Sequence, residues 1–160
     1  YNQLTENVEK NNKINIFSEV HTNHYHSAYL MFKDNKIFGQ GPRMFRKLCS
    51  EEKYNTNGCS THPHNFYAQL IGETGIIGVL FLLSYFYFCT IKLIKFFFKK
   101  NKIATNDHSF LKVCIYGIGF SLLWPVIPSG NFFNNWNSIG YFYLFGICIY
   151  FLNHELYRIK

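Results

Sequence analysis

The chain has 160 residues and a formal charge of +7, with 48% hydrophobic and 20% aromatic residues. Its mean hydropathy of -0.06 conceals two unlike halves: Val113 through Asn153 contains no Asp, Glu, Lys or Arg, and a second uncharged run covers Gly75 to Ile91. A helix crossing a bilayer needs about 20 mainly apolar residues, so these runs exclude a soluble cytosolic enzyme and a disordered tail and predict a polar front segment followed by a membrane-embedded back half.

Residues 1–70 are polar and His-rich. Tyr1 opens directly into a polar stretch without an initiating Met or a signal peptide, so the chain reads as the C-terminal part of a longer protein whose upstream helices carry this segment across the membrane. Ala28, Leu30, Met31 and Phe32 predict a short helix ending near Asp34, and Gly39, Gly41 and Pro42 a turn. Met44, Phe45 and Leu48 then fit an amphipathic helix from Pro42 into the low fifties. Tyr54 to Thr61, rich in Asn, Gly, Ser and Thr, reads as a loop.

Three membrane spans follow, over 71–98, 109–127 and 139–154. The first begins as a helix near His64–Gly72, and Lys92 and Lys95 at its far end can snorkel to the headgroups. Pro125 and Pro128 flank the exit of the second, and 128–138 forms an uncharged turn. Trp124 and Trp136 fit an interfacial aromatic belt. The lysines of the 99–108 loop, with Lys92 and Lys95 just before it, place that loop and the 155–160 tail in the cytoplasm, and hence 1–70 and 128–138 outside. The fold class is therefore mainly α: a polytopic membrane fragment with a partly helical extracytoplasmic loop and three transmembrane helices. Basic residues crowded between apolar runs do not make a nucleic-acid face, so no nucleic-acid partner is expected.

Of the five cysteines, Cys89, Cys114 and Cys148 lie in apolar runs as small core residues. Cys49 and Cys59, ten positions apart, can pair if the front segment faces an oxidising compartment; otherwise they are two free thiols.

Two clusters could carry chemistry. In the first, His62-Pro63-His64-Asn65 precedes Gly72-Glu73-Thr74-Gly75 and Gly78, which sets His64 and Asn65 where the outer loop enters a membrane helix. An imidazole there can exchange a proton at neutral pH; a plain helix cap is the bland alternative. Glu73, costly in an apolar span unless paired or near the surface, can hold His64 or a loop arginine. In the second, Gly39-Gln40-Gly41-Pro42-Arg43 and Arg46 could clamp a phosphate or diphosphate, or be ordinary surface charge. A zinc site among His21, His24, His26, His62 and His64 is disfavoured, since no His-Glu-x-x-His occurs and His62 and His64 are too close for a helical pair. No metal and no cofactor are expected.

Together, the two clusters resemble the C-terminal half of the bacterial O-antigen ligase and O-antigen polymerase family. The resemblance runs from about His26 to Gly78: Asp34 through Pro42 looks like the family's loop turn, with Phe45 as the Phe that usually follows. His64-Asn65, followed by Gly75, resembles the family's signature His and helix-starting Gly. Further arginines often precede that turn in the family, where this chain has histidines and lysines.

The resemblance implies a polytopic inner-membrane glycosyltransferase with residues 1–70 in the periplasm. It would move a glycan from undecaprenyl diphosphate to a hydroxyl of an acceptor glycan or lipid A core. His64 would be catalytic; Arg43, Arg46, Asn65 and Glu73 would bind substrate. A non-catalytic transport or assembly subunit is the alternative, but it predicts a polar stripe along the spans, which they lack.

Overall fold

The computed structural model describes residues 17–57, 59–98 and 107–157. The first sixteen residues of the front segment, most of the basic 99–108 loop and the last residues of the tail lie outside them. The elements are α1 (Glu19–Asp34), α2 (Phe45–Leu48), α3 (Phe66–Phe98), α4 (Asp107–Leu122) and α5 (Asn135–Tyr157). The chain is mainly helical, as expected, and no strand occurs among the described residues. Two units divide it: residues 1–79 with 128–133, and residues 80–127 with 134–160.

In the first unit, α1 buries His24, Ser27, Ala28 and Met31. This i, i+3, i+4, i+7 stripe defines one helix face. Glu19 in the first turn and Lys33 in the last complement the helix dipole. The stripe packs on Phe45, Cys49 and Tyr54, with Leu30, Leu48 and Ala68 around them. α1 begins well before the expected Ala28 because two of its buried positions are polar, which hides the helix from a hydrophobic pattern.

The helix expected from Pro42 into the low fifties is one turn, Phe45–Leu48. Beyond it the chain passes through further turns, in which Glu51 donates to the Leu48 carbonyl and Tyr54 to the Glu51 carbonyl. Asp34, at the end of α1, accepts from the Tyr54 hydroxyl and pairs with Lys53, which fixes these turns against α1.

α3 is not the uninterrupted rod expected. Gly75 breaks it with φ 65 and ψ -157. The 36–41 turn inserts at the break: Gln40 donates to the Gly72 carbonyl (3.0 Å), Gly41 to the Glu73 carbonyl (2.8 Å), and Ile76 to the Lys36 carbonyl (2.9 Å). These bonds replace those an unbroken helix would make within itself.

α3 is long and apolar enough to cross a membrane, with a mean hydropathy of 2.0 in its most apolar stretch, only 22% of which is buried. The part beyond Gly75 is about 35 Å long at roughly 1.5 Å per residue. Among the described residues it is the one helix that meets this criterion, with Phe110–Leu122 as a shorter apolar helix.

In the second unit, α4 and α5 pack on each other and both meet the apolar part of α3. Phe86 stacks on Phe120 of α4 at 5.4 Å, and Tyr85 meets Phe145 of α5 edge-on at 5.0 Å. Gly119 lets α4 close on Cys89. Many large apolar side chains of these helices are exposed, among them Leu80, Tyr87, Phe97, Phe110, Phe142 and Tyr150.

Candidate functional site

The segment between the two cysteines and α3 builds the site. Cys49 and Cys59 are joined by a disulfide, with their Cα atoms 5.1 Å apart, a normal separation for such a bridge. The bridge fixes the start of the run Ser60 to Asn65 beside α2. Pro63 is fully buried. His64 follows with φ 58, a left-handed conformation in which His is tolerated better than most residues. Its carbonyl accepts from the Ser129 amide at 2.9 Å. Asn65, buried, turns the chain into α3: its Oδ1 accepts from the amides of Tyr67 (2.9 Å) and Ala68 (3.1 Å), the work of a helix N-cap.

The His64 ring is surrounded by other imidazoles. Ring centroids lie 4.2 Å away for His62, 5.5 Å for His24 and 5.8 Å for His21. Its Nε2 is 3.3 Å from the Ser60 hydroxyl. His21 and His24 share a face of α1 at i, i+3 spacing; His26 is exposed. Burial, then the neighbouring His21, lowers the pKa of His64 below 6.5. Burial and the charges of His64 and His21 do the same to His24. For His62 the causes are burial, His64 and His24, with the Ser129 backbone acting in the opposite direction. His24, His62 and His64 thus favour the neutral ring at neutral pH, the state in which an imidazole accepts a proton. No group of three or more His, Cys, Asp or Glu side chains among the described residues is arranged to hold a metal ion.

The other named residues have different surroundings. Glu73 is fully buried. Its Oε1 accepts from the Phe45 amide (2.8 Å) and its Oε2 from Gln69 Nε2 (2.9 Å), and the backbone of Arg43 adds a further bond. The carboxylate thus gathers the amides at the start of α2 and lies ahead of the Gly75 break.

Arg43 has φ 63 and points its guanidinium at the Phe133 carbonyl, with Nε at 3.1 Å and Nη2 at 2.6 Å. Arg46 is exposed on α2. Neither arginine is among the contacts of the His64 ring.

The contacts that tie down the 128–133 segment are not visible in the local sequence. Gln69 donates to Asn131 Oδ1 (2.9 Å) and accepts from the Phe132 amide (2.8 Å), while Phe132 meets Phe66 edge-on at 5.5 Å. His21 and His24 entered the sequence reading only as metal candidates; their i, i+3 spacing was the one signal that both share a face.

The family model described as O-antigen ligase matches residues 17–83. That stretch holds α1, the 36–41 turn, α2, the disulfide, the histidine cluster and the Gly75 break. No curated protein and no solved structure matches the chain. The resemblance carried by residues 26–78 is thus borne out over a segment that encloses it. It supports a glycosyltransferase-type role in polysaccharide assembly.

Proposed function

We propose that this chain is part of a bacterial inner-membrane glycosyltransferase that moves a glycan from undecaprenyl diphosphate to a hydroxyl of an acceptor glycan or of lipid A core. The observation that carries this reading is the placement of His64. A left-handed residue, tied by its carbonyl to Ser129 and followed by the cap of α3, holds a neutral-favouring imidazole within the segment matched by the O-antigen ligase model. A non-glycine residue held in that conformation is costly and collects at functional sites.

The acceptor hydroxyl gives its proton to the neutral His64 ring as its oxygen attacks the anomeric carbon. The bond to the diphosphate breaks, and negative charge collects on the departing oxygens. Fixed donors or cations aimed at that charge lower the barrier; Arg46, exposed on α2, is one available cation. Asn65 positions His64 by capping the helix that follows it, and Glu73 holds the start of α2, which carries Arg46.

In this reading 71–98, 109–127 and 139–154 span the membrane, the latter part of α3 filling its hydrocarbon core. Residues 1–70 and 128–138 face the periplasm, and 99–108 and 155–160 the cytoplasm. The exposed apolar side chains of the second unit then face lipid rather than water, and exposed Trp124 and Trp136 suit an interface.

The test is transfer of labelled glycan from lipid diphosphate by the purified full-length protein in liposomes. His64→Ala should abolish it while membrane insertion persists. Full activity in that variant would remove His64 from the chemistry, and no transfer by the wild type would refute the reaction itself.

A further inference from the structure

One ring nitrogen beside His64 is left without a partner. His24 Nδ1 is buried and makes no hydrogen bond, in a residue only 4% exposed. Buried polar atoms without partners are rare and call for an explanation. His21, His62 and His64 are half-buried, so the cluster is sheltered yet open to a ligand. Arg43, by contrast, spends two guanidinium nitrogens on the Phe133 carbonyl.

Resting on the function proposed above, we propose that His21, His24 and His62 bind the phosphate oxygens of the lipid-linked donor beside His64, so that imidazole N–H groups supply the donors an arginine clamp would otherwise give. A neutral imidazole carries one N–H and its protonated form two, and bonds from a charged donor to phosphate are shorter and stronger than neutral ones. The groups facing His64 are His21 and His24 from α1 and His62 and Ser60 from its own loop. Tyr25 of α1 flanks His21, and Phe45 of α2 flanks His24. Burial first, and neighbouring imidazoles next, lower the proton affinity of His24, His62 and His64.

A bound diphosphate reverses that repulsion. Binding therefore takes up protons, and affinity rises as the pH falls. His21 and His24 act on donor binding, whereas His64 acts on the acceptor. The same chemistry is offered by a lipid diphosphate, by free pyrophosphate and by a phospholipid headgroup.

The test is calorimetric titration of the full-length protein with inorganic pyrophosphate at about pH 6 and about pH 8. Binding should be at least tenfold tighter at the lower pH. The His21→Gln/His24→Gln double variant should lose that pH dependence, and it should raise KM for the lipid-linked donor about tenfold with a smaller change in kcat. His21→Gln alone, at a half-buried position, repeats the test should the double variant not fold. Vesicles of phosphatidylglycerol should not displace pyrophosphate, whereas vesicles holding polyprenyl diphosphate should.

Binding that ignores pH, unchanged affinity in both variants, displacement by phosphatidylglycerol, or stoichiometric zinc uptake that blocks pyrophosphate would overturn the proposal. If glycan transfer still depends on His64 when pyrophosphate binding ignores His21 and His24, this inference fails and the reaction stands. If pyrophosphate binds as described but no glycan moves, the reaction fails instead.

Discussion

Gly39 and Gly75 interlock where the 36–41 turn enters the break in α3: the backbone just before Gly75 fills the space a side chain on Gly39 would need, and the backbone just before Gly39 fills that of Gly75. A Cβ on Gly39 would lie 2.4 Å from the Glu73 carbonyl carbon, and one on Gly75 would lie 2.4 Å from the Ile37 carbonyl oxygen. Both have positive φ, 66 and 65. The obstructing atoms are backbone and cannot swing aside. Gly39→Ala or Gly75→Ala should therefore cost about 2–5 kcal/mol, from the left-handed backbone and the overpacking together. Gly117→Ala, which meets nothing within 4 Å, should change stability by less than about 1 kcal/mol. Thermal unfolding of the full-length protein in detergent measures all three, and an undisturbed Gly75→Ala protein would mean that the interlock is not needed.

Glu73 offers a cleaner separation of structure from chemistry. Its two oxygens hold the Phe45 amide and the Gln69 side chain in a buried setting. Glu73→Ala strands those two donors, and each stranded donor costs about 1–3 kcal/mol, so a loss of about 2–6 kcal/mol is expected. Arg46→Ala, at an exposed position, should leave stability within about 0.5 kcal/mol. The proposed function therefore predicts that Arg46→Ala lowers glycan transfer at unchanged melting temperature, whereas Glu73→Ala lowers both together. Normal stability with weakened donor binding in the Glu73 variant would instead place its carboxylate on substrate.

How legible this arrangement was depends on the range of the interaction. The apolar part of α3 is written locally, since the uncharged run from Gly75 to Ile91 leaves little but a buried or lipid-facing helix. The turn at Gly39 and Gly41 is equally local, because glycine supplies the φ angles of 66 and 104 found there. The resemblance marks Gly75 as a helix start, but what holds the break there was not legible, because its hydrogen bonds come from Lys36, Gln40 and Gly41 outside the helix. α1 was half legible: Ala28 and Met31 announce its later turns, but His24 and Ser27 put polar groups on the buried face. That Arg43 reaches the Phe133 carbonyl was not legible, because that partner lies 90 positions away. The approach of His21 and His24 to His64 likewise needs α1 packed against the disulfide loop.

The Cys49–Cys59 bridge closes a short loop whose far end leads into Ser60 and His64. In the chain-entropy account a loop of this size stabilises by about 3 kcal/mol. Cys49→Ser/Cys59→Ser should lower the melting temperature accordingly. Glycan transfer should fall further than stability alone explains, because the hydroxyl 3.3 Å from His64 Nε2 sits directly after Cys59. A fall in melting temperature with full transfer below it would show that the bridge supports the fold without ordering the site.

Protonation gives the final prediction, and its sign is set by the direction of the shifts. His24, His62 and His64 all hold protons less readily in the folded chain than the ordinary value of 6.5. Above that value both folded and unfolded chains keep these rings neutral, and the stability of the cluster is fully present. As the pH falls through it, the unfolded chain takes up protons the folded one refuses, and stability is lost until the lowered folded values are passed. The melting temperature should therefore drop between about pH 7 and about pH 5, and His24→Gln should flatten that drop. Turnover should follow the same direction for a separate reason, since a protonated His64 cannot accept the hydroxyl proton: kcat at saturating donor should fall on the acid side. Donor binding by protonated imidazoles runs oppositely, so KM and kcat should both decrease as the pH is lowered. A kcat that holds constant from about pH 7 to about pH 5 would remove His64 as the base.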